Sequence, residues 1–144
     1  MMNKTFVPKQ NKASQWYLID AKNQTLGRLS TRIASTLKGK NNCNYTPHQI
    51  NNAYIIIINA KDILISGNKK SQKLYYRHSG RPGGLKIETF EQLQKRIPTR
   101  IIEKSVKGML PKNTLGRQLF RHLKVYPGTF HPHCSQKPTQ LQLK

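Results

Sequence analysis

Acidic residues are nearly missing from this chain. Asp and Glu number 5 against 26 Lys and Arg, a formal net charge of +21 over 144 residues. That scarcity excludes an acidic tail and leaves no evident carboxylate pair for general acid–base work. Cysteine is equally sparse. Cys43 and Cys134 stand far apart with no CxxC spacing, which excludes a disulfide scaffold and a zinc knuckle. The longest apolar run, Tyr54 to Ile58, falls far short of the roughly 18 residues a membrane span needs. The nine glycines show no collagen period. The opening Met1-Met2-Asn3-Lys4-Thr5-Phe6-Val7-Pro8 has neither an apolar core nor an Arg/Ser-rich amphipathic pattern, so no signal or transit peptide is expected.

What is present suffices for one domain with loose ends. Apolar residues make up 35%, below the globular norm of about 45–50%, but they fall in blocks. Residues 1–13 are polar and basic without period, and are expected to be an arm. Trp16 to Asp20 reads as a strand. Thr25 stands where an N-cap would, Leu26, Leu29, Ile33 and Leu37 recur at helical spacing, and Gly39 supplies a stop. The run Tyr54 to Asn59 lacks alternation, as a strand covered on both faces does. Strand, helix and buried strand in that order predict a parallel sheet. Ile63-Leu64-Ile65 and Leu74-Tyr75-Tyr76 are expected to form a hairpin around a basic turn from Ser66 to Lys73.

The segment His78 to Gly84 is a loop. Thr89 and Gln92 have capping-box spacing before a helix on Phe90, Leu93 and Ile97, ended by Pro98. A second helix is expected from about Thr99 to Lys107, stopped by Gly108. Asn113 or Thr114 caps a third on Leu115, Leu119 and Leu123. Val125-Tyr126 closes the domain as a short strand. The organisation predicted is an arm at 1–13, a single α/β domain at 14–126 and a periodless tail at 127–144.

Few groups invite catalysis. Asp20 and Asp62 sit at strand ends suited to capping backbone groups, and Glu91 precedes Lys95 by the four residues of a surface helix pair. The entry Thr25-Leu26-Gly27-Arg28-Leu29 lacks the glycine spacing of a nucleotide-binding loop. His131-Pro132-His133-Cys134 holds metal-ligating atoms, but a proline-stiffened tripeptide closes one tetrahedral site poorly. No cofactor, metal or small-molecule substrate is expected, nor a membrane.

The cations point elsewhere. Self-repulsion at this net charge disfavours a compact state unless a polyanion screens it. Arg28 and Arg32 lie opposite the apolar side of the first helix, and Arg117, Arg121 and Lys124 recur at i, i+4, i+7 on the last. Lys38 and Lys40, Lys69 and Lys70, Arg77 and Arg81, Lys107 and Lys112 gather in turns and connections. Tyr45, Tyr75, Tyr76, His48 and His78 are interleaved with them as planes for unpaired bases, and His131 and His133 among the prolines of the tail can stack on or hydrogen-bond to a polyanion. No helix-turn-helix, zinc finger or basic zipper is legible, and the charge surrounds the fold instead of lining one helix. RNA is the expected partner.

One stretch carries a resemblance. Val106-Lys107-Gly108-Met109-Leu110-Pro111-Lys112-Asn113-Thr114-Leu115-Gly116-Arg117, continuing through Leu123-Lys124-Val125-Tyr126, resembles the signature of the large-subunit ribosomal protein L-thirteen family. Trp16-Tyr17, Thr25 to Leu29, Tyr45-Thr46-Pro47-His48 and Asn59-Ala60 extend the likeness over about residues 14–138. Ser71 to Tyr75, Arg77 to Gly84 and His131-Pro132-His133 are most similar to the cyanobacterial and plastid branch. The resemblance implies a three-layer α/β/α domain with a mostly parallel small sheet, plus basic N- and C-terminal extensions. It also implies a structural, non-enzymatic place in the large ribosomal subunit, among its RNA and neighbouring ribosomal proteins, with a part in early assembly. The chain departs from the family at Ile50 and Ala53, where acids are usual. The 18 Lys, 11 Asn and 13 Ile suit an AT-rich genome, so a plastid ribosome is expected, with the bacterial cytoplasm as the alternative. A stand-alone nucleic-acid-binding regulator or RNA chaperone is the runner-up, and a third class, an RNA-modifying enzyme on an α/β fold, needs a cofactor loop or nucleophile that the sequence does not offer.

Overall fold

The structure, a computed structural model, describes Pro8 and residues 13–141. The expected arm at 1–13 therefore lies mostly outside the described residues. The chain runs β1 (Gln15–Asp20), α1 (Leu26–Lys38), β2 (Ala53–Ile58), α2 (Lys69–Gln72), β3 (Leu74–His78) and β4 (Leu85–Thr89). It continues through α3 (Phe90–Arg96), α4 (Thr99–Met109), α5 (Thr114–Arg121), β5 (Leu123–Val125) and β6 (Thr139–Gln140). Short 3-10 turns cover Ala60–Asp62 and Cys134–Gln136.

Four strands form one sheet in the order β5-β2-β1-β6, with every pairing parallel. β2 is central, so Ile55, Ile56 and Ile57 are fully buried. This is why the run lacks alternation. The fold is α/β, a parallel four-strand sheet flanked by helices. Ile19, Ile55, Ile57 and Leu123 meet Leu29, Ile33 and Leu37 of α1, Phe90 and Leu93 of α3, and Ile101, Ile102 and Val106 of α4 in one core. Each such side chain contributes about 1.5–3 kcal/mol by leaving water.

The helix ends follow local chemistry. Thr25 occupies the N-cap of α1 with no side-chain cap bond, so that helix relies on its buried stripe. Gly39 ends it in the left-handed region at φ 74°, where a Cβ is disfavoured. In α3 the capping box is complete: Thr89 Oγ1 accepts from Gln92 N–H at 3.4 Å, and Gln92 Oε1 accepts from Thr89 N–H at 2.9 Å. α4 passes through Gly108, where the expected stop fell, and ends at Met109. The stop comes from Leu110, which is extended before Pro111, as a residue preceding proline prefers.

Two expectations are corrected. Leu64 exchanges backbone hydrogen bonds with Gln24 and Leu26 at 2.9 Å in a parallel bridge, so Ile63 to Ile65 do not pair with β3. β3 instead pairs antiparallel with β4 across residues 79–84. Gly80 and Gly83 supply positive φ in that turn. β4 escaped notice because Leu85 and Ile87 point to solvent while Lys86 and Glu88 take the other face, so its period indicates no core. Residues 127–141 of the expected tail also bond to the sheet and its connections. Tyr126, Pro127 and Gly128 accept from Ala60, Lys61 and Asn59, and β6 pairs with β1 through Leu18 and Leu141. Hydrogen bonds to the sheet edge, invisible to hydrophobic periodicity, hold this segment.

Candidate nucleic-acid interface

The amphipathic helices present cations because their apolar stripes are fixed inward. On α1, Leu26, Leu29, Ile33 and Leu37 are buried and Arg28 and Arg32 are exposed. On α5, Leu119 is buried and Arg117 and Arg121 are exposed. The entry to α5 is rigid. Asn113 Oδ1 accepts from Gly116 N–H at 2.9 Å, and a Cβ at Gly116 would lie 1.8 Å from Pro111 O. Only glycine lets the Pro111 carbonyl approach this closely.

α1 and α5 both meet the C-terminal end of α4. Lys38 Nζ donates to Met109 O at 3.2 Å, placing a positive charge on the negative end of the α4 dipole. Lys107 Nζ stands 5.9 Å from the Phe120 ring centroid. Arg117, Arg121 and Lys107 thus belong to one packed corner with Lys112 exposed in its connecting loop. Lys38 is half-buried there and already bonded. Lys124 departs from the predicted stripe: α5 ends at Arg121, and Lys124 lies half-buried on β5. The helical period stops where the chain turns into the sheet.

A second cationic group occupies the β3–β4 ribbon. Arg77, His78 and Arg81 are exposed, as are Lys69 and Lys70 on α2. His78 Nδ1 accepts from Gly80 N–H at 2.9 Å, so the neutral ring carries its proton on Nε2, directed away as a donor. Lys40 and His48 are exposed in the polar connection after α1.

Of the expected stacking planes, Tyr45 and Tyr76 are 40% and 59% exposed. Tyr75 packs against the core, with Lys73 and Lys104 5.6 and 5.2 Å from its ring centroid. Burial raises its phenol pKa, and among the described residues its Oη has no hydrogen-bond partner. His131 and His133 have partners within the chain. His133 Nε2 lies 2.8 Å from Tyr126 Oη, and its backbone N–H donates to His131 Nδ1 at 3.3 Å.

Neutralising acids are few, and three of the five are paired. Arg96 grips both Glu88 oxygens at 2.7 Å, and Lys95 meets Glu91 at 2.9 Å. These hydrogen bonds lower both carboxyl pKa values. Asp20 accepts from Lys22 N–H and Asn59 Nδ2 at 2.9 Å. Among the described residues, no three His, Cys, Asp or Glu gather in a metal-binding group.

Sequence reasoning missed two features. A row of rings, His122, Tyr54, Trp16 and His133, runs across the sheet. These rings are assembled from four separate segments, and no local motif announces them. Phe130 is 83% exposed. A large apolar residue in a periodless segment was the available signal.

A family model described as ribosomal protein L13 matches residues 14–132. The large ribosomal subunit protein uL13 of Synechococcus sp. (strain CC9902) is 61% identical over 143 residues, covering 99% of this chain and 95% of that protein. The large ribosomal subunit protein uL13c of Porphyra purpurea is 62% identical over 139 residues, covering 96% and 98%. Its counterpart in Pyropia yezoensis is 63% identical over the same length.

Proposed function

Since the chain belongs to the ribosomal protein L13 family, we propose that it serves as a structural constituent of the large ribosomal subunit. Its partners are ribosomal RNA and ribosomal proteins, and its work is structural, without turnover of a substrate. The observation that carries this reading is the near full-length identity to large-subunit proteins. The charge supplies the mechanism. Arg28, Arg32, Lys107, Lys112, Arg117 and Arg121 bind phosphates on one side, while Lys69, Lys70, Arg77, His78 and Arg81 do so from the ribbon. Lys40 and His48 extend the surface. Lys38, Lys124, His131 and His133, each half-buried, hold the frame and reach RNA only at their outer edges. Docking at several points orders the RNA around a rigid sheet, which suits a role early in assembly.

The ribosome proposed is that of a plastid, supported by the red-algal plastid-type relatives and by the Lys, Asn and Ile usage. Cyanobacterial relatives at 61% and 62% identity support the bacterial alternative. Mapping the reading frame to a plastid or a bacterial chromosome decides between them.

A salt titration on a large-subunit RNA fragment, beside an unstructured homopolymer, tests the mechanism. If a third of the 26 cationic side chains reach phosphate, log affinity falls against log salt with a slope of about −6 to −8. Folded RNA outcompetes the homopolymer even at high salt, because shape fit persists when counterion release is suppressed. A slope shallower than about −2, or equal affinity for both RNAs, overturns the reading. The protein should also stay with large subunits through a salt wash, whereas a loosely bound regulator would be stripped.

A further inference from the structure

Between the C-terminal end of α1 and the 41–52 connection lies a cavity of about 330 Å³, within the range of small-ligand pockets. Its lining is rich in carboxamides, with Asn41, Asn42, Asn44, Gln49 and Asn51 beside Tyr45. Among the described residues no carboxylate lines it. The one charged lining residue among the described residues is Lys38, whose ammonium already donates to Met109 O. In a chain of this net charge, a neutral recess offers little to a bare phosphate.

The floor is fixed from within. Asn51 Nδ2 donates to Thr36 O at 3.0 Å, Asn42 Nδ2 donates to Asn51 Oδ1 at 3.4 Å, and Thr46 Oγ1 donates to Gln49 Oε1 at 2.9 Å. Gly39 lets the helix end press against this network, since a Cβ there would lie 2.9 Å from Asn51 Cγ. Asn41 and Asn44 differ. Both are exposed, and their carboxamides make no hydrogen bond among the described residues. A carboxamide carries a donor and an acceptor side by side, the pairing that a base edge also presents. Tyr45 adds an exposed ring on which a base can stack.

We propose that this cavity receives one unpaired nucleobase of single-stranded RNA. Asn41 and Asn44 read its edge, Tyr45 stacks on its face, and the exposed Lys40 holds the adjoining phosphate. The inference rests on the ribosomal RNA reading and adds a base-reading contact to a surface otherwise suited to phosphates.

The test uses the full chain and RNA pentamers of each single base, with an abasic ribose-phosphate pentamer of equal charge as control. Side-chain amide signals of Asn41 and Asn44, and ring signals of Tyr45, are followed by NMR during titration. Base-bearing pentamers should move all three, the abasic pentamer should move none, and one base should bind at least about fivefold tighter than the weakest. The double variant Asn41→Asp, Asn44→Asp keeps side-chain size but replaces donors with like-charged acceptors. It should lose base preference and about tenfold in affinity while its backbone spectrum stays that of the parent. Equal shifts with the abasic pentamer overturn the proposal. So do unmoved cavity signals while Arg117 and Arg121 side-chain signals shift, an outcome that leaves the RNA reading standing. If no pentamer binds anywhere, the base-reading proposal falls, and the RNA reading is judged by the titration on the folded fragment.

Discussion

Trp16 and Tyr54 lie ring on ring, centroids 4.4 Å apart and planes 13° from parallel, at paired positions on the adjacent strands β1 and β2. Tyr54 stacks in turn on His122 at 4.2 Å, and Trp16 meets the His133 ring at 5.3 Å. The row ties the sheet from the start of β5 to the C-terminal segment. Such ring pairs contribute about 0.5–1.5 kcal/mol each beyond their buried area.

Ending the chain at Tyr126 removes His133 and β6 together. The shortened protein should unfold at lower urea than the full chain, and emission from Trp16, the single tryptophan, should shift red as water replaces the His133 ring. An unchanged midpoint with unchanged emission would show that residues 127–141 are no part of the folded unit.

Gly116→Ala should destabilise the protein by about 1–3 kcal/mol, the usual cost of forcing an extra group into a packed site. The clash is with backbone, Pro111 O, and not with a flexible side chain. Either α5 shifts or its Asn113 cap opens. Urea unfolding measures the loss, and a variant as stable as the parent would refute the close approach. Gly27→Ala, with open space around its Cβ, is the control and should not lower stability.

Burial lowers the His122 pKa below the ordinary imidazole value; the backbone carbonyls of Ala53 and Asn51 oppose this and nearby Lys124 adds to it. Folding therefore favours the neutral ring. The stability this confers is complete above the unfolded-state value, and it is lost as pH falls through that value toward the lower folded one. The parent should lose stability between about pH 7.5 and pH 5.5, a window that brackets the free imidazole pKa. His122→Phe, which keeps a ring against Tyr54, should lose less. Parallel losses, read from urea midpoints, would clear His122 of the effect.

Replacing Arg117 and Arg121 together with Ala should weaken binding to a large-subunit RNA fragment by roughly 2–4 kcal/mol, taking about 1–2 for each charge-assisted fork. Both are exposed on α5 away from buried Leu119, so circular dichroism should barely change. Intact affinity would remove this corner from the interface. A melted fold would show that the arginines support structure instead.

The chemistry of the ends and faces of elements was legible in the residues themselves. The stripe of Leu26, Leu29, Ile33 and Leu37, the Thr89–Gln92 capping box, a cap at Asn113 or Thr114 and the unalternating Ile55 to Ile57 depend on neighbours within a few positions. Local spacing therefore determines them. The excess of cations likewise demanded a polyanionic partner whatever the fold. Only the tertiary structure decided which strands pair and which polar groups stay free. β3 found β4 and not the Ile63 to Ile65 segment, because backbone hydrogen bonds are completed by whichever chain lies alongside, and periodicity does not record that. Lys38, Tyr75 and His133 have the same side chains as candidate RNA ligands, yet each has an internal partner at the C-terminal end of α4, beneath two lysines or beside Tyr126. Among the described residues Asn41 and Asn44 are left unpartnered, at the rim of a cavity that exists only because α1 ends against the 41–52 connection. Residue type sets what a group can bond, but distance in space decides whether that capacity remains for a partner.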